Sequence, residues 1–223
     1  MRRVVAGIVA ALLAARGAEA GGTIRARIAA EPTPAAATES TEVAQLAAVV
    51  RTSEDNAGKP FIIVDKRRAT VFGFAADGRL RGSAPALLGL ARGDVNPPDI
   101  GNRPLSAIGP QDRITAAGRY VATLGNDLGK ADILWIDYAS GLSLHRVIRG
   151  KPSDQRRLRL LSPRPDDHRI SYGCVNVPAA FFDQVVRPLF HATSGIVYVL
   201  PEIKTLHDVF PMIRTAATMP PQQ

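Results

Sequence analysis

Residues 169–178 read Arg-Ile-Ser-Tyr-Gly-Cys-Val-Asn-Val-Pro and contain Cys174, the single cysteine of the 223-residue chain. Gly173, directly before it, permits a sharp turn and a close approach of a ligand to the backbone. Pro178 suits the first position of a helix, whose positive N-terminal end would favour a thiolate at Cys174. Successive backbone N–H groups at such a turn can hold an oxyanion. The stretch predicts a nucleophilic cysteine, with a buried structural cysteine as the alternative.

A thiolate nucleophile usually needs a histidine as its base, and the sequence offers four candidates. His145 ends a strand-like run, where a rigid element can hold the ring within reach of the sulfur. His168 lies in a polar loop, and spacing alone does not choose between these two. His191 and His207 lie near the end of a helix and in the C-terminal tail. No two histidines have the His-x-x-x-His spacing, and a single cysteine cannot build a zinc site, so we expect no metal.

Short apolar runs separated by turns surround these residues. Asp77-Gly78 indicates a hairpin turn, and Leu80 begins the strand after it. Apolar residues at helical spacing predict a helix at about 41–53, and another helix is expected after Pro178. Short strands with one or two short helices predict a mainly β domain, a compact sandwich or barrel. The expected strands include 61–64, 69–74, 119–124, 133–138, 142–147 and 196–200.

The N-terminus predicts export. Two arginines, an apolar run at 4–15 and small residues up to Ala20 have the layout of a secretory signal peptide. A membrane anchor is the alternative, although 12 helical residues rise only about 18 Å and a bilayer core is ~30 Å thick. We expect location in the periplasm or cell wall, with no stable membrane insertion after cleavage. The expected organisation is a signal peptide at 1–20, an Ala/Pro/Thr-rich tether at 21–39, a short helix and linker at 40–58, a domain carrying Cys174 at 59–203 and a C-terminal tail at 204–223.

Positive charge is concentrated between the candidate base and the candidate nucleophile. The chain carries 28 Lys and Arg against 20 Asp and Glu, a net charge of +8. The segment 146–169 holds eight of these cations and three aspartates. Such a segment fits either a surface that binds the carboxylates of an acidic peptide or an ordinary solvated surface. Nucleic-acid binding is not expected, because the protein is expected to be exported and few aromatic residues lie near the patch.

The stretch 171–176, Ser-Tyr-Gly-Cys-Val-Asn, resembles the Ser-His-Gly-Cys signature of YkuD-type L,D-transpeptidases, which cross-link the bacterial cell wall. The resemblance extends over about residues 60–201. It includes an opening Ile-Val-Asp strand at 63–65 and a hairpin with an Asp-Gly turn. It also includes Thr-Ala-Ala-Gly-Arg-Tyr at 115–120, which is similar to the family's Thr-Pro-x-Gly-x-Phe segment. The compact β-rich catalytic domain of that family agrees with the strands expected here.

This resemblance implies that Cys174 is the nucleophile and His145 the general base of a cysteine acyltransferase. It implies cleavage of the diamino acid–D-alanine bond of a peptidoglycan stem tetrapeptide and, without a cofactor, transfer of the acyl group to an amine of a second stem or a protein. Tyr172 stands where the family usually has His, and the 29 positions from His145 to Cys174 exceed the usual interval. A hydrolase acting on the same stems and an inactive cell-wall-binding module are the alternatives. The expected oxyanion and substrate-binding residues are Gly173, Ser171, Tyr172, Asn176 and Arg169.

Overall fold

The computed structural model describes residues 37–126 and 132–213; the expected signal peptide and nearly all of the expected tether lie outside these residues. The strands are β1 (Phe61–Asp65), β2 (Thr70–Phe74), β3 (Leu80–Pro85), β4 (Leu88–Gly89), β5 (Gly118–Asn126), β6 (Asp132–Asp137), β7 (Leu142–Arg146), β8 (Arg169–Ser171), β9 (Val175–Val177) and β10 (Gly195–Val199). The helices are α1 (Thr41–Ser53), α2 (Arg156–Leu161), α3 (Ala179–Phe181), which continues through a π-helical turn (Phe182–Val186) into α4 (Arg187–Phe190), and α5 (Leu206–Val209). Among these described helices, none is long and apolar enough to cross a membrane.

Eight strands form one sheet in the order β3-β2-β1-β10-β5-β6-β7-β9, and β4 pairs separately with β8. The pairs β1/β10 and β7/β9 are parallel, and the other neighbours in the large sheet are antiparallel. Leu87, just after β3, exchanges two backbone hydrogen bonds of 2.8 and 2.9 Å with Asn176 of β9. These bonds join the two edges, so the sheet is nearly closed. The expected mainly β domain with short helices is confirmed.

Apolar side chains pack on both faces of β1. Ile62 and Val64 lie in the inner core, inside the curved sheet and under the helical segment 179–190. Phe61 and Ile63 lie in an outer core, between the sheet and α1. Because side chains alternate along a strand, a continuous apolar run is the pattern required of a strand that is buried on both sides.

The first helix begins where its sequence predicts. The Ser40 hydroxyl accepts a hydrogen bond from the Val43 backbone N–H at 3.3 Å, as an N-cap residue does. The same hydroxyl donates to Asp65 at the end of β1 at 2.8 Å. The cap therefore fixes the start of α1 and also ties the helix to the sheet.

The packed domain extends beyond the expected boundary at residue 203. The helix α5 begins with a capping box in which Thr205 and Asp208 bond each other's backbone N–H groups. Phe210 and Ile213 after it are buried in the outer core, and the Phe210 ring meets Tyr198 edge-on at 5.9 Å between centroids. The expected C-terminal tail, 204–223, is thus packed as far as Ile213, where its apolar residues cover the outer face of the sheet. Residues 214–223 lie outside the described residues.

We expect Phe210→Ala to lower the free energy of unfolding by about 3–5 kcal/mol, since it leaves a cavity against Tyr198. Chemical denaturation of the purified protein measures this change. Leu105→Ala is the control, because Leu105 is 64% exposed and surface truncations usually change stability by less than about 0.5 kcal/mol. Equal stability of the Phe210→Ala and wild-type proteins would show that the C-terminal segment does not belong to the folded domain.

Candidate active site

The candidate nucleophile and base come together because β7 and β9 are parallel neighbours. Leu144 pairs with Val175, and His145 pairs with Asn176. Leu144 and Val175 enter the inner core. The alternation of side chains along a strand therefore turns His145 and Asn176 to the opposite face. Cys174 is two residues before Asn176 and lies on the same face as the imidazole.

A strand, rather than the expected helix terminus, follows the cysteine. Val175–Val177 form β9, and α3 begins only at Ala179. Val175 and Val177 are β-branched and fully buried in the inner core, where pairing with β7 holds them. The expectation that a helix dipole activates Cys174 is therefore wrong, and the groups that stabilise a thiolate here belong to β7.

The sulfur of Cys174 contacts two residues near the start of β7. The Ser143 hydroxyl donates a hydrogen bond to Sγ at 3.3 Å. The Ser143 backbone N–H also bonds the sulfur. In the thiol form, S–H can donate to the Gly141 carbonyl oxygen at 3.5 Å. Ser143 was not among the expected site residues, although its place two residues before His145 in a strand puts both on one face.

The His145 ring is oriented by the backbone. Its Nδ1 lies 2.8 Å from the Arg146 carbonyl oxygen. A carbonyl only accepts, so Nδ1 carries the proton of the neutral ring and Nε2 is the basic nitrogen. This is the tautomer that a general base for a thiol requires.

The thiol and the imidazole shift each other's pKa in opposite directions. Burial raises the pKa of the Cys174 thiol, but the hydrogen bond and charge of His145, with the bonds from Ser143, outweigh burial and hold this pKa below its ordinary value. Burial lowers the pKa of His145, whereas the hydrogen bond and charge of Cys174 and the Arg146 carbonyl raise it, and the net shift is upward. Both shifts favour a thiolate paired with an imidazolium, the state in which the sulfur is nucleophilic.

The backbone around the cysteine is held by its neighbours. Gly173 has φ of +133°, and a Cβ there would lie 2.8 Å from the Ile114 carbonyl oxygen, so the turn requires glycine. The Cys174 carbonyl accepts hydrogen bonds from the Ser171 hydroxyl at 2.7 Å and the Asn176 side-chain amide at 3.1 Å. Ser171 Oγ also accepts from the Gly173 N–H at 3.0 Å. Of the two successive backbone N–H groups at this turn, that of Gly173 is therefore occupied, which leaves that of Cys174 to hold an oxyanion.

A cavity of about 160 Å³ opens in front of Cys174. Tyr172 lines it with a half-exposed ring, and the Arg113 guanidinium stacks 3.9 Å from the ring centroid. Arg103 also lines the cavity, together with the apolar side chains of Ile100, Leu105, Ile108 and Ile114. The thiol thus faces a small space with apolar walls and a guanidinium at its edge.

Two residues considered from the sequence lie elsewhere. Arg169, expected to bind substrate, is buried, and its guanidinium pairs with the Glu202 carboxylate. His168, the second candidate base, places its ring nitrogens 3.0 Å from the carbonyl oxygens of Ala86 and Ser162. Neither lines the cavity at Cys174. Within residues 37–126 and 132–213, no three His, Cys, Asp or Glu side chains form a group that could hold a metal ion.

The basic segment 146–169 also places the guanidinium of Arg156 next to the site. Arg156 in α2 donates from Nη1 to Asn176 Oδ1 at 3.1 Å, and its Nε donates to Asp154 at 3.1 Å. Its positive charge opposes protonation of His145 and so limits the rise in that pKa. No pattern in the sequence indicates this contact, because one arginine among eight cations cannot be singled out without the fold.

No protein-family model and no curated protein matches this chain. Among solved structures, the chain is similar to the NMR structure of the catalytic domain from E. faecium L,D-transpeptidase, with 15% identity and a TM-score of 0.31. The match covers 64% of this chain and 98% of that chain. A similarity of this size carries no argument about activity.

We expect alkylation of Cys174 to accelerate as the pH rises through the lowered pKa of the thiol, because only the thiolate reacts. Below that pKa the sulfur is protonated and the rate falls. Ser143→Ala removes one hydroxyl donor to the thiolate and should raise the midpoint by about one pH unit. The rate of iodoacetamide labelling, measured from acid to alkaline pH, gives both midpoints.

Ser53→Ala, on the exposed side of α1, is the matched control and should leave the midpoint unchanged. A wild-type midpoint at or above that of a model thiol would contradict the thiolate–imidazolium pair. An unchanged midpoint in Ser143→Ala would show that the hydroxyl does not stabilise the thiolate.

Proposed function

We propose that this chain is an exported cysteine acyltransferase of the L,D-transpeptidase type that acts on peptidoglycan stem peptides. The observation that carries the proposal is the Cys174 thiol beside the His145 imidazole, with pKa shifts that favour the reactive ion pair. The family signature that residues 171–176 resemble supports the choice of substrate. The predicted signal peptide supports export.

The first half of the reaction forms an acyl-enzyme. His145 Nε2 takes the thiol proton, and the Cys174 thiolate attacks the carbonyl carbon of the third stem residue, a diamino acid. The negative charge that develops on the carbonyl oxygen is stabilised by the Cys174 N–H. The C–N bond to D-alanine then breaks, and the imidazolium returns its proton to the leaving amine. A thioester remains on the sulfur.

The second half transfers the acyl group. An amine of a second stem peptide attacks the thioester and gives its proton to His145. The C–S bond breaks and the Cys174 thiolate is restored, with a 3→3 cross-link as the product. An amine on a protein would react by the same steps and anchor that protein to the wall. Water in the amine's place would give a tripeptide, which is the L,D-carboxypeptidase outcome.

The test uses the purified protein with a disaccharide-tetrapeptide muropeptide that ends in D-alanine, with products identified by mass spectrometry. We expect a cross-linked dimer and free D-alanine from the wild type, and neither from Cys174→Ala. His145→Gln should slow D-alanine release by about 100-fold or more, the typical contribution of a general base. His191→Gln, which replaces an exposed histidine, is the matched control and should keep the wild-type rate.

Three other results of this assay would each change the proposed function. Tripeptide and D-alanine without dimer would replace the transferase by a hydrolase that uses the same residues. Release of D-alanine by Cys174→Ala would exclude a cysteine nucleophile. An unchanged muropeptide in every sample would overturn the enzymatic proposal and favour a cell-wall-binding module, in which Tyr172 replaces the family histidine.

A further inference from the structure

Three backbone segments meet next to the nucleophile with no room for side chains between them. A Cβ on Gly89 of β4 would lie 2.3 Å from the Arg113 carbonyl oxygen and 2.7 Å from the Thr115 nitrogen. A Cβ on Gly173 would lie 2.8 Å from the Ile114 carbonyl oxygen. Real Cβ atoms do not approach backbone so closely, so glycine is required on both sides of residues 113–115. The position of this segment is therefore coupled to the position of the nucleophile turn.

The Thr115 hydroxyl bridges the other two segments. It accepts a hydrogen bond from the Gly89 N–H at 2.9 Å and donates to the Gly173 carbonyl oxygen at 2.6 Å. Thr115 is completely buried. A hydroxyl has one proton to donate, so this pair of contacts directs the proton to Gly173 alone.

The Gly173 carbonyl belongs to the same planar peptide as the Cys174 N–H, and in a trans peptide the two point in opposite directions. A bond that fixes the carbonyl therefore also fixes the N–H. The Gly173 N–H is already bonded to Ser171 Oγ, so the Cys174 N–H is the donor left from this pair for an oxyanion. We propose that Thr115 is a positioning residue, whose hydroxyl orients the Gly173–Cys174 peptide so that the Cys174 N–H is aimed at the oxyanion; this inference rests on the proposed function.

The buried Lys66 side chain fixes the backbone of Thr115 through a hydrogen bond to its carbonyl oxygen. The Lys66 ammonium donates to the Thr115 carbonyl oxygen at 2.9 Å, to the Gly93 carbonyl oxygen and to the Asp94 carboxylate at 2.8 Å. Lys66 is fully buried and also lies 3.6 Å from the Glu202 carboxylate. Burying these charges costs desolvation energy, and buried ion pairs are weak contributors to net stability. Through its bonds to Gly93 and Thr115, Lys66 fixes both ends of the segment 93–115, which forms much of the cavity wall. The buried charges therefore serve to position this segment and not to add net stability.

The test compares Thr115→Val, which keeps the shape but removes the hydroxyl, with Thr115→Ser, which keeps the hydroxyl. The kinetics of D-alanine release from the disaccharide-tetrapeptide are measured. We expect Thr115→Val to lower kcat by about 100-fold, as loss of an aligned oxyanion donor does, with little change in KM. Thr115→Ser should restore most of kcat. The pH midpoint of iodoacetamide labelling should stay at the wild-type value in Thr115→Val, because His145 and Ser143 set the thiol pKa from β7.

A fall in kcat with an unchanged labelling midpoint separates a positioning role from a structural one. A Thr115→Val variant with wild-type kcat would overturn the inference, and so would one in which kcat falls and the labelling midpoint rises together. Thr115→Ala, which cannot introduce a clash, is measured in parallel. Loss of the folded state in both hydroxyl-free variants would also overturn it, by assigning the hydroxyl to the stability of the domain. A wild type that releases no D-alanine would overturn the proposed function itself, whereas an active wild type beside an equally active Thr115→Val overturns the inference alone.

Discussion

The contact between the Cys174 thiol and the His145 imidazole depends on one parallel register, that of β7 against β9. Because side chains alternate along a strand, a slip by one residue would exchange the core face and the site face of β9. Val175 would then leave the inner core, and the thiol would turn towards it. The burial of apolar residues thus fixes the register. The two bonds between Leu87 and Asn176 hold the other edge of β9. The contact that nearly closes the sheet therefore also fixes the geometry of the site.

Around this contact, polar groups hold the backbone of the candidate nucleophile in place. The Cys174 carbonyl is bonded by the side chains of Ser171 and Asn176, and the Gly173 carbonyl by Thr115. Such supporting contacts are what keep a catalytic group within a fraction of an ångström of its productive position. The groups that favour a thiolate at Cys174 are side-chain and backbone donors on β7, and not the helix terminus that was expected to lie next to the cysteine.

Local patterns predicted most of the strands and the first helix, because Ser40 is an N-cap and the apolar periods are clear. Local patterns do not reveal which strands pair when the strands are far apart in the sequence. Val175–Val177 is too short to be recognised as a strand without its partner β7. The helix after Pro178 does form, from Ala179, but the strand separates it from Cys174. Arg169 looked like a substrate ligand because its carboxylate partner, Glu202, is remote in sequence. Ser143 could have been found from the alternation of side chains in β7.

The proposed mechanism requires a thioester between Cys174 and the stem peptide, and this intermediate can be trapped. Wild-type protein is mixed with the disaccharide-tetrapeptide, quenched in acid during the first turnovers and examined by intact and peptide mass spectrometry. We expect an added mass equal to the muropeptide without its D-alanine, located on the peptide that contains Cys174 and removed by hydroxylamine. Release of D-alanine with the adduct on another residue, or from protein whose Cys174 had already been alkylated, would contradict it.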